Sequence, residues 1–289
     1  MEEVVHGEPM RSFVSGCFAV AVLSALGLAL QSPAAAEELV KFDSAASPLP
    51  RAEGSRDGAN LPRGGTEIYG YLTKPRGEAP FPAVVLLHSC LGLPADRRSI
   101  ANDLAGWGYV ALFVDEFTTR SLRETCAVDF PEGLSDAFGA LAFLARLTYV
   151  DKARIAVVGY SQGADTALQI ASLRFPSGFA IPDDLRFSAA AAFYPPCANE
   201  ARARLRLPTL ILIGSADAVT PAADCEQLAR NQPAADLKLV VYPGAGHVFD
   251  DPRFAGGKQI LGMRLQFNQT AAAQSRSALR DFLAAKIGR

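Results

Sequence analysis

The sequence predicts an α/β protein: a mostly parallel central sheet with helices on both faces and no separate lid domain. Three observations carry this. Nearly continuous apolar runs at 84–87, 109–114, 189–194, 210–213 and 237–242 are short enough for strands and apolar enough to be buried on both faces. Between and after them, segments at 98–107, 134–147 and 271–287 carry helical patterning; in the last, Ala272, Ser275, Leu279, Phe282 and Leu283 share one face. Strands that alternate with helices require crossover connections, and these make parallel pairs.

In chain order, the domain opens with a strand near 67–72, followed by a strand at 84–87 and a helix at 98–107. A strand at 109–114 and a helix at 134–147 come next. Then an apolar run at 154–160 leads into a Gly-rich turn and a helix-favouring stretch at 162–172. The remaining strands and the closing helix complete the alternation to 287. Residues 174–188 form one modest insertion, so the pocket should be fairly open. The domain is expected over 67–289, preceded by a polar, proline-containing linker or N-terminal arm at 37–66.

The turn at the middle of this pattern is GYSQG, Gly159 to Gly163. A Gly-x-Ser-x-Gly between strand and helix is the nucleophile elbow of an α/β-hydrolase. Small flanking residues permit the sharp turn, which presents Ser161 at the sheet edge beside the positive end of a helix. A serine hydroxyl needs a base, and the chain holds three histidines. His6 precedes an apolar leader, and His88 ends a strand upstream of the serine, where a structural role is expected. His247 follows the strand at 237–242 and remains as the base. The acid should lie between serine and histidine at a strand end, which selects Asp217 in GSAD; Asp250 and Asp251 follow the histidine, the wrong order for this fold. The oxyanion hole should use the backbone N–H of Gln162 and one from the loop after His88, with Cys90 as donor.

At 289 residues and 49% apolar content the chain can bury one large domain, and a net charge of −2 gives no reason to expect nucleic acid or an anionic membrane surface as partner. Residues 12–36 carry no charge. Arg11, an apolar core at 13–30 and the small residues Pro33 to Ala36 read as a secretory signal peptide cleaved after Ala36, giving a periplasmic or secreted protein without stable membrane association. Glu2 and Glu3 do not suit a basic n-region, so Met10 makes a better start. The alternative is an uncleaved membrane anchor over 13–30. Removing Cys17 leaves Cys90, Cys126, Cys197 and Cys225. Cys197 follows one strand and Cys225 begins a helix after its expected neighbour, which favours Cys197–Cys225 and leaves Cys90–Cys126; four free thiols are the alternative.

LLHSCLGL (86–93), VDEFTTR (114–120), VVGYSQG (157–163), GSADAVTP (214–221) and GAGHVF (244–249) stand in an order and spacing that resembles the dienelactone hydrolase family. The resemblance spans roughly 67–287. It implies a single-domain hydrolase without cofactor or metal, and it puts Ser161, Asp217 and His247 in triad roles. Three positions depart from the family. Dienelactone-cleaving members use a cysteine nucleophile, where this chain has Ser161. Ser89 stands where they carry a glutamate that controls the thiol. Of the two arginines that clamp their substrate's carboxylate, Arg120 matches the first, and Asp251 occupies the place of the second. The expectation is a serine hydrolase that cleaves a small carboxylic ester or lactone through an acyl-enzyme. Alternatives are a peptidase or acyltransferase using the same triad, and a non-catalytic binding protein on this scaffold. Arg120 is either a substrate-binding residue or a scaffold residue paired with Asp115 or Glu116.

Overall fold

A computed structural model describes residues 1–2, 36–46, 65–128, 130–173 and 178–289. The architecture below belongs to the unit that begins at Ala34; the expected signal peptide lies outside the described residues, apart from its two ends. In chain order the elements are β1 (Glu37–Asp43), β2 (Glu67–Thr73), β3 (Phe81–Leu87), α1 (Arg97–Gly106), β4 (Val110–Asp115), α2 (Gly133–Ala145), β5 (Val150–Tyr160), α3 (Gln162–Ser172), β6 (Ala189–Phe193), β7 (Thr209–Gly214), α4 (Ala222–Arg230), β8 (Leu237–Tyr242), β9 (Lys258–Ile260), β10 (Met263–Leu265) and α5 (Gln269–Ile287).

The first eight strands form one sheet in the order β1-β2-β4-β3-β5-β6-β7-β8. From β4 to β8 every pair is parallel, while β1 and β2 add an antiparallel edge. Every residue of β3, β4, β6 and β7 is buried, as strands covered on both faces require. The strand period of two divides them between two cores. Val84 and Leu86 of β3 face Leu104 of α1 and Leu279 and Leu283 of α5. Ala83, Val85 and Leu87 face Phe138, Leu141 and Leu144 of α2 and Ile170 of α3. A third cluster joins Ala164 and Leu168 of α3, Ile211 and Ile213 of β7, and Leu228 of α4. It also contains Cys197 and Cys225, which form a buried disulfide between the segment after β6 and α4.

Two elements differ from expectation. The segment at 37–43 is not an arm: it is β1, paired residue for residue with β2 from Glu37↔Thr73 to Asp43↔Glu67. Its alternation is short but real, with Val40 and Phe42 packed on the α2 core while Leu39, Lys41 and Asp43 on the other face are exposed. Glu37 is held by Arg98 at 2.8 Å and Arg97 at 3.2 Å, both at the start of α1. Beyond the strand, the Ala45 N–H donates to the Ser135 carbonyl at 2.8 Å. A Cβ at Gly139 of α2 would lie 2.4 Å from the Asp43 carbonyl oxygen, so the helix rests directly on this backbone. Of the expected linker, residues 47–64 lie outside the described residues. The second difference is the β9–β10 hairpin. Leu261 and Gly262 at its tip both adopt positive φ, 50° and 79°, as a two-residue hairpin needs.

If β1 is part of the folded sheet, Phe42→Ala destabilises the protein by about 3–5 kcal/mol, the cost of emptying a buried aromatic site. Urea unfolding of the two forms measures it; a linker residue would leave the midpoint unchanged.

Candidate active site

Ser161 sits between β5 and α3 with φ 52° and ψ −110°, a conformation that side-chain-bearing residues rarely adopt. The surrounding backbone leaves it no alternative. A Cβ at Gly159 would lie 2.0 Å from the Gly163 carbonyl oxygen, and one at Gly163 would lie 2.5 Å from that of Leu87. The Ser161 N–H donates to the Phe193 carbonyl at 3.0 Å, and the Gly163 N–H to the His88 carbonyl at 3.1 Å. The hydroxyl is thereby held at the carboxyl edge of the sheet.

His247 lies in the loop after β8. Loop and hairpin are joined by a His247↔Leu265 bridge, and the Asn268 N–H donates to the Phe249 carbonyl at 2.8 Å. Asp217 follows β7. Its Oδ1 accepts the N–H groups of Val219 at 2.9 Å and Thr220 at 2.8 Å, which leaves Oδ2 to face the imidazole. Acid and histidine segments cross closely: a Cβ at Gly214 would lie 2.1 Å from the Ala245 carbonyl oxygen. The outcome is a continuous line of short contacts. His247 Nδ1 is 2.8 Å from Asp217 Oδ2, and His247 Nε2 is 3.0 Å from Ser161 Oγ. With the proton on Nδ1, donated to the carboxylate, Nε2 presents a lone pair to the serine hydroxyl. His247 and Asp217 are both buried.

One residue in this line escaped the sequence reading. Thr220 Oγ1 lies 3.0 Å from Asp217 Oδ2, 3.2 Å from His247 Nδ1 and 3.1 Å from the Tyr194 carbonyl. An Asp with Thr three residues on is a side-chain-to-backbone turn signature, and it was legible in ADAVT.

The N–H of Gln162 belongs to the first residue of α3 and has no intrahelical acceptor. Cys90 lies in the loop after β3 and is disulfide-bonded to Cys126. Its carbonyl accepts the Thr125 N–H at 2.9 Å, and the Thr125 hydroxyl donates to Gln162 Oε1 at 2.8 Å. The strap at 118–128 is therefore tied to both expected oxyanion donors. His88 is fully buried; its Nδ1–H donates to the Ser89 carbonyl at 2.8 Å and its Nε2 accepts the Glu116 N–H at 3.3 Å. Desolvation lowers its pKa to about 4, which keeps it neutral.

Arg120 requires a correction. Both of its terminal nitrogens are engaged within the chain, and its partner is neither the Asp115 nor the Glu116 carboxylate. Its guanidinium forms a two-pronged pair with Asp136 of α2, 2.8 Å on each arm, and donates to the Glu116 backbone carbonyl at 2.6 Å. Asp136 is fully buried, and desolvation raises its pKa to about 6 against the opposing pull of Arg120. Asp251, in place of the family's second arginine, is engaged by Arg253. Asp136 lies on α2, distant in sequence from Arg120, so no local motif announced the pairing.

Beside the His247 loop is a recess bordered by Ser89, Tyr194, Val248 and Asp250. The Tyr194 hydroxyl donates to Asp250 Oδ1 at 3.0 Å, and its ring meets the His247 ring edge-on at 4.8 Å between centroids. Among the described residues no group of three or more His, Cys, Asp or Glu is placed to hold a metal ion.

Residues 68–287 match the sequence profile of the dienelactone hydrolase family. An uncharacterized Mycobacterium tuberculosis protein is 28% identical over 84% of this chain and 90% of its own length. Cutinase 2 of Thermobifida cellulosilytica is 29% identical over 58% of each chain. Among solved structures, a dienelactone hydrolase-like promiscuous phosphotriesterase from metagenomic libraries superposes with a TM-score of 0.63 at 21% identity, covering 88% of this chain and all of its own. That likeness is one of fold.

Arg120→Ala leaves Asp136 buried without its cation and lowers stability by about 3–5 kcal/mol. Loss of kcat/KM on any ester should then be the same for anionic and neutral substrates. Paired kinetics and denaturant titration check this, and a loss confined to anionic esters contradicts it.

Proposed function

Because the chain belongs to the dienelactone hydrolase family, we propose that it is a serine hydrolase that cleaves a small carboxylic ester or lactone through an acyl-enzyme. The observation that carries this reading is the hydrogen-bonded line from Ser161 through His247 to Asp217. Ser161 Oγ attacks the carbonyl carbon while Nε2 of His247 takes its proton. The buried Asp217 carboxylate holds the tautomer and stabilises the imidazolium. The carbonyl oxygen, now negative, accepts the N–H groups of Gln162 and Cys90. Collapse breaks the bond to the leaving oxygen, which receives the proton from Nε2. Water then repeats the sequence on the acyl-enzyme and releases the acid.

Serine in place of cysteine, and Arg120 and Asp251 each committed to an ion pair within the chain, remove the features that suit the family's anionic dienelactones. A neutral or cationic ester fits this pocket better. Two disulfides support export, since such bonds persist in oxidising compartments. Among the described residues no helix is long and apolar enough to cross a membrane.

Ser161→Ala or His247→Ala should lower kcat on p-nitrophenyl acetate by roughly a millionfold, because members of such a triad act as a unit. Asp217→Asn costs less, about ten-thousandfold. Turnover by Ser161→Ala near the wild-type rate would sink the reading. Export is checked separately: N-terminal sequencing of the mature protein should begin at Glu37, the first residue of β1, and a chain that retains its leader argues for the anchored alternative.

A further inference from the structure

Between α1 and α5, behind the recess beside the His247 loop, lies a cavity of about 330 Å³. Leu104 and Trp107 on one side, Leu279 on the other and Phe193 beneath make it largely apolar. Recess and cavity share Asp96, Ile100, Tyr160 and Asp250 in their walls, so two carboxylates stand where they meet.

Neither carboxylate is in an ion pair, although Arg253 borders the recess and its charge favours the ionised form of Asp96. Asp96 occupies the N-cap position of α1 yet makes no capping hydrogen bond, and its Oδ1 is buried with no partner. Asp250 accepts the Tyr194 hydroxyl, a neutral donor. The nearest arginines are already matched: Arg253 pairs with Asp251, and Arg276 with Asp103. The walls of recess and cavity thus hold four acids, Asp96, Asp103, Asp250 and Asp251, against two arginines that Asp251 and Asp103 already engage, among the rings of Tyr160, Tyr194 and Phe193. A buried carboxylate left unmatched is costly, and a cation restores it.

We propose that recess and cavity receive the leaving-alcohol arm of the substrate, and that this arm carries an alkylammonium group held by Asp96 and Asp250. The proposal rests on the serine-hydrolase reading above. The alcohol arm is assigned because His247 must protonate the leaving oxygen, and Val248 directly after it and Asp250 two residues further line the recess. The cavity's size suits such a group, and aromatic faces add to the attraction.

The preference depends on pH in a defined direction. Burial raises the Asp250 pKa to about 7, and Asp96 and Asp251 push the same way while the Tyr194 hydroxyl opposes them; Tyr160 and Arg253 complete its surroundings. Burial and Asp251 likewise raise Asp96. The ammonium binds the ionised form, so selectivity for a cationic ester grows as pH rises through about 7.

The test compares acetylcholine with 3,3-dimethylbutyl acetate, its uncharged isostere. The kcat/KM ratio of charged to neutral ester should be about tenfold or more in the wild type. It should fall toward one in Asp96→Asn and in Asp250→Asn, which keeps an acceptor for Tyr194. In the unaltered protein, the ratio should increase from about pH 6 to pH 8 with the ionisation of Asp250. Effects of His247 on the reaction itself cancel in the ratio. Hydrolysis of the neutral ester with a ratio at or below one overturns the proposal and leaves the hydrolase reading intact, as does a ratio that neither substitution nor pH moves. Hydrolysis of neither ester, together with no labelling of Ser161 by a fluorophosphonate, overturns the hydrolase reading and this proposal with it.

Discussion

The site depends on a contact between two backbones, the start of α3 against the end of β3. The Gly163 N–H reaches the His88 carbonyl, and no side chain fits between them. This approach forces Ser161 into its strained conformation and puts the loop carrying Cys90 beside the serine. A second crossing of the same kind, Gly214 against Ala245, holds the acid strand to the histidine loop. Interactions between side chains come after these two crossings: the distances from Ser161 to His247 and from His247 to Asp217 follow from where the glycines let the chain pass.

Much of this was legible in the sequence because it is local. A strand, two glycines and a helix within one short stretch specify the elbow, and strand ends followed by Asp217 and His247 specify the rest of the line. The parallel core was readable because its strands are apolar throughout. What escaped was long-range or muted. β1 alternates too briefly to stand out beside the prolines that follow it, and it becomes a strand through its pairing with β2. The β9–β10 turn uses Leu261 and Gly262, where Asn-Gly or Asp-Gly would have signalled a hairpin. The partner of Arg120 could not be read at all, since a residue on α2 supplies it.

Buried charge in the scaffold follows one rule, that each group has a local answer. His88 stays neutral between a donor and an acceptor of the backbone, and Arg120 and Asp136 neutralise each other. Glu116 is held well above the usual carboxylate range, first by burial and then by Asp136, which favours its uncharged form. Against that pattern the junction near Asp96 and Asp250 is the exception, a place where acids outnumber cations.

Tyr194 shows how closely recognition is joined to chemistry in this molecule. Its φ of 43° is left-handed. Its carbonyl steadies Thr220 beneath the acid, its ring abuts His247, and its hydroxyl reaches Asp250 in the pocket wall. A change made there to alter what enters the pocket also disturbs the Asp217–His247 contact, so the two cannot be engineered independently at this position. Asp96 acts on that linkage through charge alone, raising the pKa of Asp250. It is the N-cap residue of α1 and shares no hydrogen bond with Ser161, His247 or Asp217, which makes it the position from which pocket charge can be retuned while that hydrogen-bonded line is left in place.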